Sequence, residues 1–264
     1  MERYRNTIEF EVYGKYALFS DPVTRVGGEK TSYHIPTYEA LKGMVESIYW
    51  KPTIMWIVDA VRVMNPIQTE TKGVRSIGYN GGNELSYYTY LRDVHYQVRA
   101  HFEQNKNHPE LFQDWNENKH HNIAKRMVQR GGRRDVFLGT RECQAFVEPC
   151  EFQSGQSYYD DMPGEIAFGF MYHGITYADE AILEEEKNKM TINFWRPVMR
   201  RGGVIEFIRP EQCKEKRTVK EMQVKKFGKE QFSGLEEFTD EEVRGRTGRK
   251  NYWRYTKRTV FRRA

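Results

Sequence analysis

Apolar and polar residues alternate near the start of the chain, with Ile8, Phe10 and Val12 interleaved with Thr7, Glu9 and Glu11. That period of two predicts a strand with one buried face. After Pro36 the period lengthens: Tyr38, Leu41, Met44, Val45 and Ile48 share one face of a helix that Thr37 can cap. Pro52 forces this helix to finish near Trp50, because a residue before proline avoids the helical region. Residues 53–64 (TIMWIVDAVRVM) are rich in branched and aromatic side chains and predict a strand, closed by Pro66. A turn follows at Tyr79-Asn80-Gly81-Gly82-Asn83, then a long strand over 87–102 carried by Leu91, Val94, Tyr96, Val98 and Ala100. Residues 121–130 predict a helix stopped by Gly131-Gly132, and 136–138 and 144–147 predict short strands.

The order over residues 5–152 is strand, helix, strand, strand, helix, strand. We therefore expect an α+β, ferredoxin-like (RRM-like) βαββαβ domain over residues 1–152. Beyond Ser154, Ile166, Phe168 and Phe170 alternate, and 191–199 and 204–208 flank Arg200-Arg201-Gly202-Gly203 as a hairpin. These features predict a small antiparallel β domain over 153–242, although 214–242 show no clear pattern. A basic aromatic tail, 243–264, ends the chain.

Charge refines this picture. The 264 residues carry a net charge of +5 and are 14% aromatic. The tail holds nine Lys or Arg and no acid, so residues 1–242 sum to 5 − 9 = −4. A second basic island lies between Lys119 and Arg141, where seven Lys or Arg face a single carboxylate, Asp135. Local patches of this kind suit a polyanionic partner. Three cysteines without a CxxC pair point to neither a disulfide framework nor a zinc site. There is no P-loop, no HExxH and no paired-carboxylate motif, so we expect no metal and no cofactor. The charged N-terminus and the lack of a long apolar run predict a cytoplasmic protein without a membrane partner.

Lys119-His120-His121 opens the basic island. RNA carries its own nucleophile, the 2′-hydroxyl, so cutting it needs a proton acceptor, a proton donor and a cation for the phosphorane charge. Histidine and lysine can fill those roles. Read alone, the pair is more ordinarily a basic helix start that only holds phosphate. Arg130-Gly131-Gly132-Arg133-Arg134 lets the backbone approach a phosphate that arginines can grip; its ordinary alternative is pairing with Asp135 or Glu142. Tyr49 and Trp50 end the first helix, and one of them must point away from its apolar face. In the tail, Tyr252, Trp253, Tyr255 and Phe261 alternate with cations, which suits base stacking or a protein partner equally.

Four blocks, SYHIPTYEALKGMVESIYWKPT, VRVMNPIQTETKGVR, SYYTYLRDVHYQVRAHF and GGRRDVFLGTRECQAFVEPCEF, together closely resemble the CRISPR-associated family-five proteins of subtype I-C (the Dvulg type, within the RAMP superfamily). The similarity runs from about residue 8 to about 208. It implies a metal-independent endoribonuclease that cuts CRISPR repeat precursor RNA into guide crRNA. It implies further that the protein stays on the 5′ handle with the other subunits of a type I-C surveillance (Cascade) complex. The family's tyrosine, lysine and histidine fall on Tyr49, Lys119 and His120. His121 is an extra histidine that can stand in for His120 or touch RNA, and Arg130, Arg133, Arg134 and Arg141 are candidate RNA contacts. Two competing readings remain. One is a non-catalytic subunit that caps the crRNA 5′ handle; the other is duplex-DNA binding through the basic patches, which would weaken steeply with salt.

Overall fold

The computed structural model describes residues 4–78 and 80–224. The tail 243–264 and residues 225–242 lie outside the described residues, as does Tyr79 of the predicted turn. In chain order the elements are β1 (Ile8–Ala17), α1 (Pro22–Arg25), α2 (Tyr38–Ile48), β2 (Ile54–Val63), β3 (Thr69–Ile77) and β4 (Asn83–Gln104). There follow α3 (Glu117–Gln129), β5 (Val136–Phe137), β6 (Gln144–Pro149), β7 (Ile166–Ala167), β8 (Met171–Thr176), β9 (Lys189–Trp195), β10 (Val198–Met199), β11 (Val204–Glu206) and β12 (Glu215–Glu221). Short 3₁₀ turns cover Pro109–Asp114, Glu184–Glu186 and Pro210–Gln212.

The protein is a mixed α/β structure dominated by antiparallel sheet. Its main sheet runs β11-β2-β4-β1-β6-β5, with β3 paired to the outer half of β4. Every pairing in it is antiparallel. The predicted alternation of β1 is realised, since Phe10 and Val12 have no exposed surface while Glu9, Glu11 and Tyr13 stand on the other face. Leu41, Val45 and Ile48 of α2 and Ala124 and Val128 of α3 close over the same core. Each such fully buried aliphatic side chain contributes roughly 1.5–3 kcal/mol.

The fold departs from the expectation in several places: α1, β8 and β12 fall where no element was expected, and the alternating segment at 166–170 is a strand only over Ile166–Ala167. β3 was not anticipated, and with β4, which starts at Asn83 rather than residue 87, it makes a long hairpin. The predicted 191–199/204–208 hairpin does not form as drawn. Pro197 interrupts the first strand, and the backbone pairing that remains is the single Arg200–Val204 bridge in the turn, although Trp195 and Phe207 of the two arms stack at 4.8 Å between ring centroids. β10 pairs instead with β7, and β11 adds to β2 on the edge of the main sheet.

The segment placed by sequence in a separate unit over 153–242 behaves in two ways. β8, β9 and β12 form a three-stranded sheet of their own. The rest is bound into the first sheet through Arg62 of β2, which is only 4% exposed. Its guanidinium donates to the carbonyls of Ser154 (3.0 Å) and Gly202 (2.9 Å) and to Asp160 (2.8 Å). A buried charge needs that many partners, so the strands on either side are fixed to β2, and Met1–Val224 holds together as one compact unit.

Candidate active site

Tyr49 is set at the C-terminal end of α2. Thr37 caps the start of that helix by accepting from Ala40 N–H (3.1 Å), and extended backbone at Tyr49 (φ −157°) ends it before Pro52. The Tyr49 N–H donates to Val45 O, and the Trp56 indole donates to Tyr49 O at 2.7 Å. Both sides of the residue are thereby anchored. Tyr49 turns inward, 2% exposed, and Trp50 turns outward, 42% exposed.

α3 begins at Glu117, earlier than its apolar period suggests, because Asn116 caps it by accepting from Lys119 N–H (3.0 Å). Lys119 and His120 therefore sit in the first helical turn. His120 points into the core, fully buried beside Phe102, Trp115 and Tyr49. Its Nδ1 lies 2.7 Å from the Tyr49 hydroxyl and its Nε2 3.1 Å from the main-chain oxygen of Asp114. A carbonyl can only accept, so Nε2 carries the hydrogen, and a neutral ring then receives the Tyr49 O–H at Nδ1. Burial holds His120 below the ordinary histidine pKa, with Lys119 and Lys51 adding to the effect, which favours that neutral form. Burial pushes the Tyr49 hydroxyl up to about 12; the Asp114 charge adds to this and Arg133 opposes it.

Lys119 is the accessible member, with 43% of its side chain exposed. Its ammonium donates to Asp114 Oδ1 at 2.5 Å and to Asp114 O at 3.0 Å. The other carboxylate oxygen accepts from Thr53 Oγ1 at 2.9 Å. Burial works against the Asp114 charge, but the hydrogen bonds from Lys119 and Thr53 outweigh it and hold the carboxyl below its usual range. Sequence reasoning missed both Asp114 and Thr53. The one available signal was an acid five positions before a candidate lysine, and Glu110 and Glu117 nearby compete with it.

Gly131 and Gly132, at φ 79° and 111°, take the left-handed backbone that stops α3. The chain then docks on the end of α2, where Arg133 N–H donates to Ile48 O and Arg134 N–H to Ser47 O, both at 3.1 Å. A side chain at Gly132 would press on Arg134 O at 2.9 Å. This docking brings Arg133 close enough to act on Tyr49 electrostatically. Arg130, Arg133, Arg134 and Arg141 are all exposed, and none has an ion-pair partner among the described residues, Asp135 and Glu142 included. His121 lies apart from the Tyr49–His120 pair: its Nε2–H donates to Thr7 O at 3.0 Å, tying α3 to the start of β1. Among the described residues no group of three His, Cys, Asp or Glu side chains is placed to hold a metal ion, and no helix is long and apolar enough to cross a membrane.

Comparison with known proteins converges on one family. A curated relative from Mannheimia succiniciproducens, named CRISPR pre-crRNA endoribonuclease Cas5d, is 26% identical over 183 residues, spanning 59% of this chain and 74% of its own. A Thermus thermophilus protein of the same name is 26% identical over 151 residues, spanning 54% and 63%. Among solved structures, one titled as a CRISPR-associated protein superposes with a TM-score of 0.68 at 37% identity, covering 83% of this chain and 99% of that one. A functionally uncharacterized protein from Streptococcus mutans gives 0.65 at 35% identity, covering 80% and 97%. The model of the CRISPR-associated protein (Cas_Cas5) family matches residues 7–208, a span holding Tyr49, Lys119, His120 and all four arginines, and the chain belongs to that family.

Proposed function

We propose that this protein is a metal-independent endoribonuclease that cuts CRISPR repeat precursor RNA into guide crRNA and then stays on the 5′ handle as a subunit of a type I-C surveillance complex. The observation that carries the reading is the 2.7 Å hydrogen bond between Tyr49 and His120 beside the exposed Lys119. A phenol has one hydrogen, and here it is committed to Nδ1. Tyr49, itself 2% exposed, therefore has only its lone pairs to offer a 2′-hydroxyl that reaches it. As the 2′-hydroxyl of RNA attacks phosphorus, its proton passes to the Tyr49 oxygen while the Tyr49 proton passes to His120 Nδ1. Lys119 offsets the charge gathering on the phosphorane oxygens. The bond to the 5′ oxygen breaks, that oxygen takes a proton from solvent, and the products end in a 2′,3′-cyclic phosphate and a 5′-hydroxyl.

The pKa values explain why the transfer must be concerted. Burial pushes the Tyr49 hydroxyl up to about 12 and holds His120 below the ordinary histidine range, so both shifts disfavour a resting phenolate–imidazolium pair. The proton moves only as the 2′-oxygen gives up its own.

We read the order β2-β4-β1-β6, with α2 joining β1 to β2 and α3 joining β4 to β6, as the ferredoxin-like, RRM-like arrangement, with the β-rich segment after residue 152 added to it. In that arrangement the face away from the helices is a common RNA platform. Here it carries Tyr13 and Phe146 beside Glu11, Glu148 and His95, and its carboxylates repel phosphate. RNA is better served on the side of Arg130, Arg133, Arg134 and Arg141.

One observation favours the non-catalytic cap: Tyr49 is only 2% exposed, and His120 has no exposed surface with both ring nitrogens engaged within the protein. Incubating the protein with its host's repeat RNA in EDTA separates the readings. Cutting that persists in EDTA and stops with a 2′-deoxy nucleotide at the scissile position supports the nuclease. Activity lost in EDTA and restored by magnesium defeats the mechanism, and normal RNA binding without any cutting favours the cap.

A further inference from the structure

We propose that Asp114 is a positioning residue for the cut, holding Lys119 and His120 in register with Tyr49 through its carboxylate and its main-chain carbonyl together. This rests on the ribonuclease reading above. The residue closes the 3₁₀ turn Pro109–Asp114, just ahead of the Asn116 cap. Its hydrogen bonds serve one purpose. The carbonyl accepts His120 Nε2–H and so leaves Nδ1 as the nitrogen that receives the Tyr49 proton. The same carbonyl and Oδ1 take two of the three hydrogens of the Lys119 ammonium. One N–H remains for a phosphate oxygen, on a side chain that is already 43% exposed. Thr53, just ahead of β2, anchors Oδ2 and stops the turn from swinging away.

The arrangement also makes chemical sense of a carboxylate next to a phosphate site. An acid there repels RNA and weakens affinity, so its presence is understandable only if it improves the geometry of the reacting groups. A displacement of about 1 Å at such a site can cost on the order of 100-fold in rate. The same carboxylate favours the protonated form of His120 as the proton arrives.

The test compares full-length wild type, Asp114→Ala, Asp114→Asn, Thr53→Val and His120→Ala. Three readouts are taken: the single-turnover cutting rate at saturating repeat RNA, the affinity for the 2′-deoxy-blocked RNA, and the pH–rate profile. Asp114→Ala should cut about 10- to 100-fold more slowly with undiminished affinity. Asp114→Asn keeps the main-chain carbonyl and one side-chain oxygen to accept from Lys119, while its amide N–H must donate to Thr53 Oγ1 in place of the bond the carboxylate accepted. It should recover much of the rate while its acid limb moves to lower pH. Thr53→Val should show a smaller rate loss of the same kind, and it decides the matter with the Asn variant should the Ala variant not fold. Wild-type cutting by Asp114→Ala overturns the proposal. So does faster cutting with tighter binding, which would mark the carboxylate as a mere block, or a parallel loss of rate and affinity in every variant. If wild type fails to cut, or His120→Ala cuts normally, the ribonuclease reading itself fails instead.

Discussion

Replacing Tyr49 by phenylalanine removes one oxygen and nothing else, which makes it the sharpest probe of the proton path. The ring keeps its place, because its packing and the Trp56 bond to the Tyr49 carbonyl do not involve the hydroxyl. What changes is His120 Nδ1, which loses its donor inside a ring with no exposed surface. A buried acceptor left without a partner costs about 1–3 kcal/mol, so the urea or thermal midpoint should fall measurably. The effect on chemistry is larger. With the relay broken, the 2′-hydroxyl has no acceptor at that position, and losing a positioned acid–base group typically costs about 10²- to 10⁴-fold. Single-turnover cutting of repeat RNA should therefore fall by that factor, while affinity for uncleavable RNA stays the same. A Tyr49→Phe protein that cuts within a few-fold of wild type, while showing the expected stability loss, would refute the relay and leave the hydrogen bond as packing.

Other consequences follow from the same geometry. Because burial keeps His120 neutral to lower pH than an ordinary histidine, the acid limb of the cutting profile should lie below about 6.5; a limb clearly above that value would mean His120 is not the acceptor. Removing Arg133 and Arg134 together should weaken RNA binding and flatten its salt dependence by about 0.7 log units per log of salt for each phosphate no longer neutralised, whereas Phe146→Ala on the acidic sheet face should change neither. Cutting by His121→Ala should be normal, with a stability loss of about 1 kcal/mol from the broken bond to Thr7; abolished cutting with intact folding would place His121 in the site after all.

The parts of the fold that announced themselves in the sequence are those that bury a face. β1, α2, β2 and the inner half of β4 each press an apolar stripe into one core, and the stripe is readable as a period. β3 escaped because it buries almost nothing: along Thr69–Ile77 exposed and half-exposed positions alternate, and the strand is held by backbone pairing with β4. The Arg200-Arg201-Gly202-Gly203 turn was visible, but its purpose was not. A side chain on Gly203 would meet Val63 O at 2.4 Å, so this turn is shaped to lie against the end of β2, and its flanking strands diverge to different partners. Local turn chemistry could not reveal a constraint set by a strand 140 residues earlier.

The candidate site was legible in the same uneven way. Lys119 was found through charge, because an exposed cation advertises itself as one of a cluster. Tyr49 and His120, 71 positions apart, were linked only by resemblance to a family, since nothing local says that two side chains will meet inside a core. Charge in fact pointed slightly wrong. It grouped His120 and His121 as one basic feature, whereas consecutive positions on a helix point about 100° apart. One histidine enters the core and one ties the helix to β1. The order of the proton path is the consequence that matters. With Nε2 spent on Asp114 and Nδ1 facing Tyr49, His120 has no direct approach to RNA in this arrangement. On the proposed path, a tyrosine whose high pKa makes it a poor base by itself is the group that meets the substrate, because a neutral imidazole stands behind it to take what it receives.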